Sequence, residues 1–241
     1  MLASARQLQE ALARHLKALD PNRENPNLRQ LVVIGHSQGG LLTKMLALDT
    51  GNALIRAATG KTLDELDLSQ RAKSELRRNC IFEHCPDVTR VIFISTPHRG
   101  SVMASSLVRS VTRRIIGLPE ELLRTSAEIA RTAASLHVNA DWRFSPQNTS
   151  IDGMSPRNPV LQVLATLPLA PGITGHSIIA VKDAAHPEES SDGVVKYGSA
   201  HLEGMASEFI VESGHSCQSN PLVIEEIRRI LRLHAEAMEK K

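Results

Sequence analysis

Short runs of apolar residues alternate along this chain with longer segments in which apolar residues recur at helical spacing. The run Leu31–Ile34 is unbroken and flanked by a polar residue and a glycine, which is typical of a strand buried on both faces of a parallel sheet. Similar runs predict three further strands, at residues 88–94, 177–181 and 208–211. Helical patterns occupy much of the remaining chain, at residues 1–19, 39–49, 52–79 and 221–238. Strands that alternate with helices predict an α/β fold with a parallel sheet.

The alternation is interrupted between the second and third predicted strands, where about 80 residues contain no obvious strand. Residues 102–118 and 120–137 have helical patterns there. An insertion of this length within an α/β unit usually carries function, for example as a cap or lid over a site, and plain packing against the sheet is the alternative. The sequence therefore predicts a core made of residues 1–100 and 172–241, with a helical cap or lid at residues 101–171.

The first predicted strand runs directly into the motif Gly35-His36-Ser37-Gln38-Gly39, which opens the next helix. A Gly-x-Ser-x-Gly motif between a strand and a helix is typical of a nucleophile elbow, in which the glycines allow a sharp turn and the serine is exposed. The helix N-terminus behind Ser37 also offers free N–H groups to a developing oxyanion. We therefore interpret Ser37 as a nucleophile and the Gln38 N–H as an oxyanion donor. A tight turn without chemistry is the alternative.

A serine nucleophile requires a base, and the base requires a carboxylate that orients it. In the order typical of an α/β hydrolase, the acid follows the serine and the histidine comes last. His215 is the best-placed base, because it lies in the loop between the last predicted strand and the closing helix. Asp192, which precedes Gly-Val-Val, is the favoured acid, and Asp183, directly after the third strand, is its main rival.

The composition narrows the classes of partner. A length of 241 residues suits one large domain, and a net charge of +2 gives no argument for a nucleic-acid partner or an anionic membrane surface. Three cysteines do not make a disulfide framework, and their spacing does not favour a metal site. No apolar run approaches the ~20 residues that span a bilayer, so no transmembrane segment is expected. Because the N-terminus lacks a signal-peptide pattern, we expect a cytoplasmic location.

Four motifs in this order resemble those of bacterial lipases and esterases of the α/β-hydrolase superfamily and, more distantly, GPI-inositol deacylase-like proteins. They are the elbow at 35–40, Ser-Thr-Pro-His-Arg-Gly-Ser at 95–101, Ser-Asp-Gly-Val-Val at 191–195, and Ser-Gly-His at 213–215 followed by Asn-Pro at 220–221. The resemblance implies that Ser37, Asp192 and His215 hydrolyse carboxylic esters, in small molecules or lipids, without a metal or organic cofactor. His36 and His98 are expected to contact the substrate. Thioester cleavage, acyl transfer and a catalytically weak interaction module are the alternatives.

The chain also departs from the fold that it resembles. That fold has further strands before the elbow strand, and a loop among them donates the second oxyanion-hole N–H. Only one helix precedes the elbow strand here, so we expect an N-terminally reduced sheet, as in a truncated or split chain, and no motif identifies the second donor. The elbow strand would then be an exposed edge, which invites a homodimer or another association. A secreted or envelope location would follow if a longer parent chain carried a signal.

Overall fold

A computed structural model describes residues 1–101 and 154–239 of the chain. Four parallel strands form one sheet in the order β1-β2-β3-β4. The strands are β1 (Leu31–His36), β2 (Val88–Ile94), β3 (Thr174–Val181) and β4 (Ser207–Glu212). Helices lie between them in the chain, and the predicted α/β class with a parallel sheet is confirmed.

Seven α-helices occur in the part of the chain that the structure describes. They are α1 (Leu2–Leu19), α2 (Gln38–Met45), α3 (Ala53–Thr59), α4 (Gln70–Cys80), α5 (Pro159–Thr166), α6 (Tyr197–Ala200) and α7 (Pro221–Glu239). The helical segment predicted at 52–79 is divided in two, because Gly60 ends α3 in the left-handed conformation with a φ of 73°. The helix predicted at 39–49 ends early, at Met45.

The two faces of the sheet are covered by different elements. One face packs against α7 through a cluster that includes Ile92, Ile178 and Ile230, all with no exposed surface. The opposite face, with Val91 and Phe93, packs against the segment that follows α2 and against α1. Burial on both faces explains why the central strands β2 and β3 are continuous apolar runs in the sequence, whereas the edge strands β1 and β4 are only partly buried.

The closing helix α7 packs through a narrower stripe than its sequence suggests. The spacing of Ile224, Ile227 and Leu231 places these residues on one face, but the structure buries the adjacent stripe that contains Val223 and Ile230. Ile224 and Leu231 remain 44% and 39% exposed. Apolar periodicity therefore located the helix correctly, but its apolar surface is wider than its contact with the sheet.

The predicted cap can be followed only in part. The helices expected at 102–118 and 120–137 lie outside the described residues, and the division into a core and a cap stays a prediction. Within the described part, α5 is a short helix whose Leu161 and Leu164 are buried. It contacts α3, beside the helix that follows the elbow.

β1 lies at one edge of the sheet. It pairs with β2 on one side, and no strand within residues 1–101 and 154–239 pairs with its other side. Ile34 on this strand is 43% exposed. Across the same two ranges, no helix has both the length and the apolarity needed to cross a membrane. The location of the protein stays a prediction.

Candidate active site

Ser37 occupies the sharp turn between the end of β1 and the start of α2. Its backbone is strained, with a φ of 54° and a ψ of −127°, a region that non-glycine residues rarely adopt. Two hydrogen bonds hold this turn: the Ser37 N–H donates to the Ile94 carbonyl at 2.9 Å, and the Gly40 N–H donates to the Ser37 carbonyl at 3.0 Å. The strain is therefore imposed by the pairing of β1 with β2 and by the helix that follows.

Close backbone packing explains two glycines of the elbow. A Cβ atom at Gly35 would lie 2.5 Å from the Gly40 Cα, and a Cβ at Gly40 would lie 1.8 Å from the Thr96 Oγ1. At Gly39, by contrast, a Cβ would meet nothing within 4 Å among the described residues. The glycines at 35 and 40 allow α2 to approach the sheet closely, whereas the space around Gly39 does not require a glycine.

The structure brings the predicted base to the predicted nucleophile. The His215 Nε2 lies 2.8 Å from the Ser37 Oγ, and the His215 Nδ1 lies 2.7 Å from the Asp192 Oδ2. Because an ionised carboxylate only accepts hydrogen bonds, the Nδ1 carries the proton of that contact and the Nε2 is free to accept from the serine hydroxyl. Three side chains from distant parts of the sequence thus form one hydrogen-bonded chain.

Asp192 is held firmly at the far end of this chain. It is only 3% exposed, and its Oδ1 accepts from the N–H groups of Val194 and Val195, each at 2.7 Å. These bonds leave the Oδ2 for His215. The rival residue Asp183 is exposed and instead accepts from the Ala185 N–H and contacts the His186 ring. The structure therefore brings Asp192, and not Asp183, to the histidine.

The loop that carries His215 joins the end of β4 to α7. The Ser213 N–H donates to the Val181 carbonyl at 2.9 Å, and the buried Cys217 Sγ lies 3.5 Å from the Ser95 Oγ. Ser95, at the end of β2, also has a positive φ of 45°. The sequence motif at 95–101 marks this region, but nothing in it indicated that Ser95 and Cys217 meet below the histidine loop.

The two histidines expected to contact substrate have other contacts. The His36 Nε2 lies 2.9 Å from the His215 carbonyl oxygen, and the two imidazole rings are 5.0 Å apart. His98 is 1% exposed, with its ring edge-on to Phe93 at 4.8 Å. Burial, with the nearby charge of Lys44, holds the pKa of His98 well below its usual value. A contact of either ring with substrate stays a prediction.

Lys44 on α2 carries a buried amine that the sequence pattern did not predict. It is 3% exposed, and its Nζ donates to the Leu164 carbonyl at the end of α5 at 2.6 Å. Burial lowers the pKa of Lys44 to about 7. A lone lysine among the leucines of α2 was the only signal, and it does not distinguish a buried amine from an exposed one.

The first N–H of α2 and the groups that could bind a metal complete the description of the site. Gln38 is the first residue of α2, so its N–H has no intrahelical acceptor and lies directly after the nucleophile. No group of three His, Cys, Asp or Glu side chains within residues 1–101 and 154–239 is arranged to hold a metal ion. The three cysteines are free thiols.

Comparison with known proteins gives similarity in structure alone. No family model matches the chain, and no curated protein matches it. The solved structures to which it is similar include Bacillus licheniformis lipase BlEst2 in its mature form, EstA from Clostridium botulinum, and Staphylococcus hyicus lipase.

The sequence identities to these three proteins are 14%, 13% and 14%, in the same order. The matches cover 96%, 80% and 86% of this chain and 74%, 61% and 71% of the other chains, with TM-scores of 0.49, 0.42 and 0.41. These three structural neighbours are bacterial lipases and esterases. Because their TM-scores are below 0.5, the assignment of the site rests on the geometry of this chain.

Proposed function

We propose that this chain is a serine hydrolase that cleaves carboxylic esters through an acyl-enzyme. The observation that carries the proposal is the unbroken hydrogen-bonded chain from the Ser37 Oγ through His215 to the buried Asp192, with contacts of 2.8 Å and 2.7 Å. The strained elbow at Ser37 supports it, because strained backbone is maintained where the surrounding structure fixes a functional side chain.

In the first half of the reaction, the Ser37 Oγ attacks the ester carbonyl carbon while its proton moves to the His215 Nε2. The carbonyl oxygen becomes an oxyanion, which the N–H of Gln38 stabilises. The tetrahedral intermediate then collapses. The bond to the alcohol oxygen breaks, the leaving alcohol takes the proton from the His215 Nε2, and the acyl group stays on Ser37.

In the second half, water replaces the alcohol. His215 takes a proton from the water as its oxygen attacks the acyl carbon, and the same proton returns to the Ser37 Oγ when the carboxylic acid leaves. Asp192 takes no proton in either half. It fixes the tautomer of His215 by accepting from the Nδ1, and its negative charge stabilises the imidazolium that forms in each half.

A substrate panel tests this proposal against the reactions that the same three residues could also perform. We expect p-nitrophenyl esters to be hydrolysed by the wild type and by Ser74→Ala, a control whose hydroxyl lies on the exposed surface of α4. Ser37→Ala should be inactive. Faster turnover of acyl-CoA would reassign the chain to thioester cleavage, and product made with an alcohol acceptor would reassign it to acyl transfer. Turnover that survives in Ser37→Ala would contradict the proposal.

The association expected from the sequence also stays a proposal. It is supported by the edge of β1, which pairs with no strand within residues 1–101 and 154–239. The strand contains no charged residue or proline, the features that commonly prevent a sheet edge from pairing with another chain. We infer that two copies pair through β1. Light scattering after gel filtration should then give twice 26.3 kDa for the wild type. Ile34→Lys, which places a charge at the edge, should give the single mass. A monomeric wild type would contradict the pairing.

A further inference from the structure

His36, the residue before the proposed nucleophile, makes two contacts with the proposed base. Its Nε2 lies 2.9 Å from the carbonyl oxygen of His215, and the ring centroids are 5.0 Å apart with an angle of 43° between the planes. A carbonyl oxygen only accepts, so the His36 Nε2 carries the proton of this bond. His36 therefore holds the backbone of His215 with a hydrogen bond and lies against its ring.

Asp192 holds the imidazole of His215 through the Nδ1, and the backbone of the loop around His215 has few other anchors within residues 1–101 and 154–239. Gly214 and Ser216, on either side of it, are exposed. The backbone bond of Ser213 and the side chain of Cys217 fix the two ends of the loop but do not contact the imidazole. The bond from His36 is formed at His215 itself. It thus limits the movement of the atoms that direct the imidazole towards Ser37.

We propose that His36 is a positioning residue that keeps the His215 Nε2 within hydrogen-bonding distance of the Ser37 Oγ. The proposal rests on the proposed function, because it assigns a role towards the same base. His36 moves no proton, since its Nε2 donates to a carbonyl that cannot take the proton. Its effect is geometric, and a displacement of about 1 Å between reacting groups can cost on the order of 100-fold in rate.

Three substitutions separate the hydrogen bond from the ring. His36→Gln keeps an N–H donor at a similar distance from the backbone, His36→Phe keeps the ring without the donor, and His36→Asn is polar but too short to reach the carbonyl. We expect kcat for p-nitrophenyl esters to fall about 10- to 100-fold in the Phe and Asn variants, with KM changed less than about 3-fold. The Gln variant should retain kcat within about 3-fold of the wild type.

His234→Phe is the matched control. The His234 Nε2 lies 2.8 Å from the Gln30 carbonyl oxygen, so it forms the same kind of bond at the opposite end of β1. We expect its kcat to equal that of the wild type. An equal loss in His234→Phe and His36→Phe would mean that both substitutions act through the stability of the fold, and would overturn the assignment of His36.

A second readout does not depend on ester hydrolysis. The proton between the His215 Nδ1 and Asp192 should give a proton NMR signal downfield of the amides, absent in Asp192→Ala. The signal should broaden or shift in His36→Phe and His36→Asn and remain in His36→Gln. If Ser37→Ala hydrolyses esters as well as the wild type, the proposed function fails, and the NMR comparison still tests His36. If only Ser37→Ala loses activity and all three His36 variants match the wild type in kcat and in this signal, the positioning role is wrong.

Discussion

The sheet has a serine–histidine pair at each end, and the two pairs are hydrogen-bonded in opposite senses. At the carboxyl ends of the strands, His215 contacts Ser37 through its Nε2 and the carboxylate of Asp192 through its Nδ1. At the amino ends, the His176 Nδ1 lies 2.7 Å from the Ser207 Oγ, and the Arg90 guanidinium lies 2.5 Å from the His176 Nε2. The second partner is a carboxylate for His215 and a guanidinium cation for His176.

The partner of one imidazole nitrogen decides whether the other nitrogen can accept a proton from the serine. Asp192 accepts from His215, so the other nitrogen of that ring can accept the proton of Ser37. Arg90 can only donate, so the Nε2 of His176 must accept and its Nδ1 must donate to Ser207. Burial and the charge of Arg90 lower the pKa of His176 to about 4. Proximity of serine to histidine is therefore not enough, and of these two serines only Ser37 is hydrogen-bonded to a histidine nitrogen that can accept its proton.

Removing the two serine hydroxyls gives the largest expected contrast. Ser37→Ala should lower kcat for p-nitrophenyl esters by roughly 10⁴- to 10⁶-fold, because the acyl-enzyme can no longer form. Ser207→Ala should leave kcat within about 2-fold of the wild type, because the hydroxyl accepts from His176 and has no base. Steady-state kinetics of both variants measure the contrast. A comparable loss in Ser207→Ala would contradict it.

Asp192→Asn should have the next largest effect. An amide can donate to the His215 Nδ1, which would reverse the tautomer of the proposed base, so that its Nε2 would carry the proton and could no longer accept from Ser37. We expect kcat to fall by about 10⁴-fold without unfolding, as measured by ester kinetics and circular dichroism. Asp183→Asn is the matched control at the exposed rival carboxylate, and its kcat should not change. Loss of activity in the control instead would move the acid to Asp183.

The close packing at the elbow should be visible as stability. Gly40→Ala places a Cβ against the buried Thr96 side chain, so the free energy of unfolding should fall by about 1–3 kcal/mol and kcat should fall with it. Gly39→Ala meets no atom within 4 Å among the described residues and should change the free energy of unfolding by less than about 0.5 kcal/mol. Urea unfolding of the two variants measures the difference. If both variants were equally stable, the elbow would tolerate a Cβ at position 40, which would contradict the close contact with Thr96.

The smallest effect on ester hydrolysis should come from removal of the Arg90 charge beside His176. Arg90→Met removes a neighbouring cation, so the pKa of His176 should rise from about 4 towards its usual value of 6.5, which NMR titration measures. A lowered pKa in the folded state means that the unfolded chain binds more protons between pH 6.5 and 4. In the wild type, His176 therefore destabilises the fold as pH falls through this window, and Arg90→Met should reduce that loss. Ester hydrolysis should be unchanged. An unchanged pKa of His176 would contradict the proposed influence of Arg90 on this ring.

The sequence predicted the strands and the candidate site residues better than the contacts between distant elements. Apolar runs located all four strands, although only the central strands β2 and β3 are largely buried. The elbow motif located Ser37, and close packing requires a glycine at position 35 of that motif but not at position 39. The burial of Lys44 and the choice of the α7 face that packs on the sheet depend on contacts between distant elements, and local periodicity does not contain that information. For the same reason, the sequence identified Ser37, Asp192 and His215 as partners but did not reveal the contact between His36 and the His215 carbonyl.

The proposed function depends on Ser37 being an activated nucleophile. Incubation of the intact chain with a fluorophosphonate, followed by proteolysis and mass spectrometry of the peptides, tests this role of Ser37. We expect a single phosphonate adduct on Ser37, formed with a stoichiometry near one and lost in His215→Ala, which keeps the serine but removes its proposed base. An adduct on Ser207 or another serine, or an unmodified Ser37 in folded protein, would contradict the proposed role of Ser37.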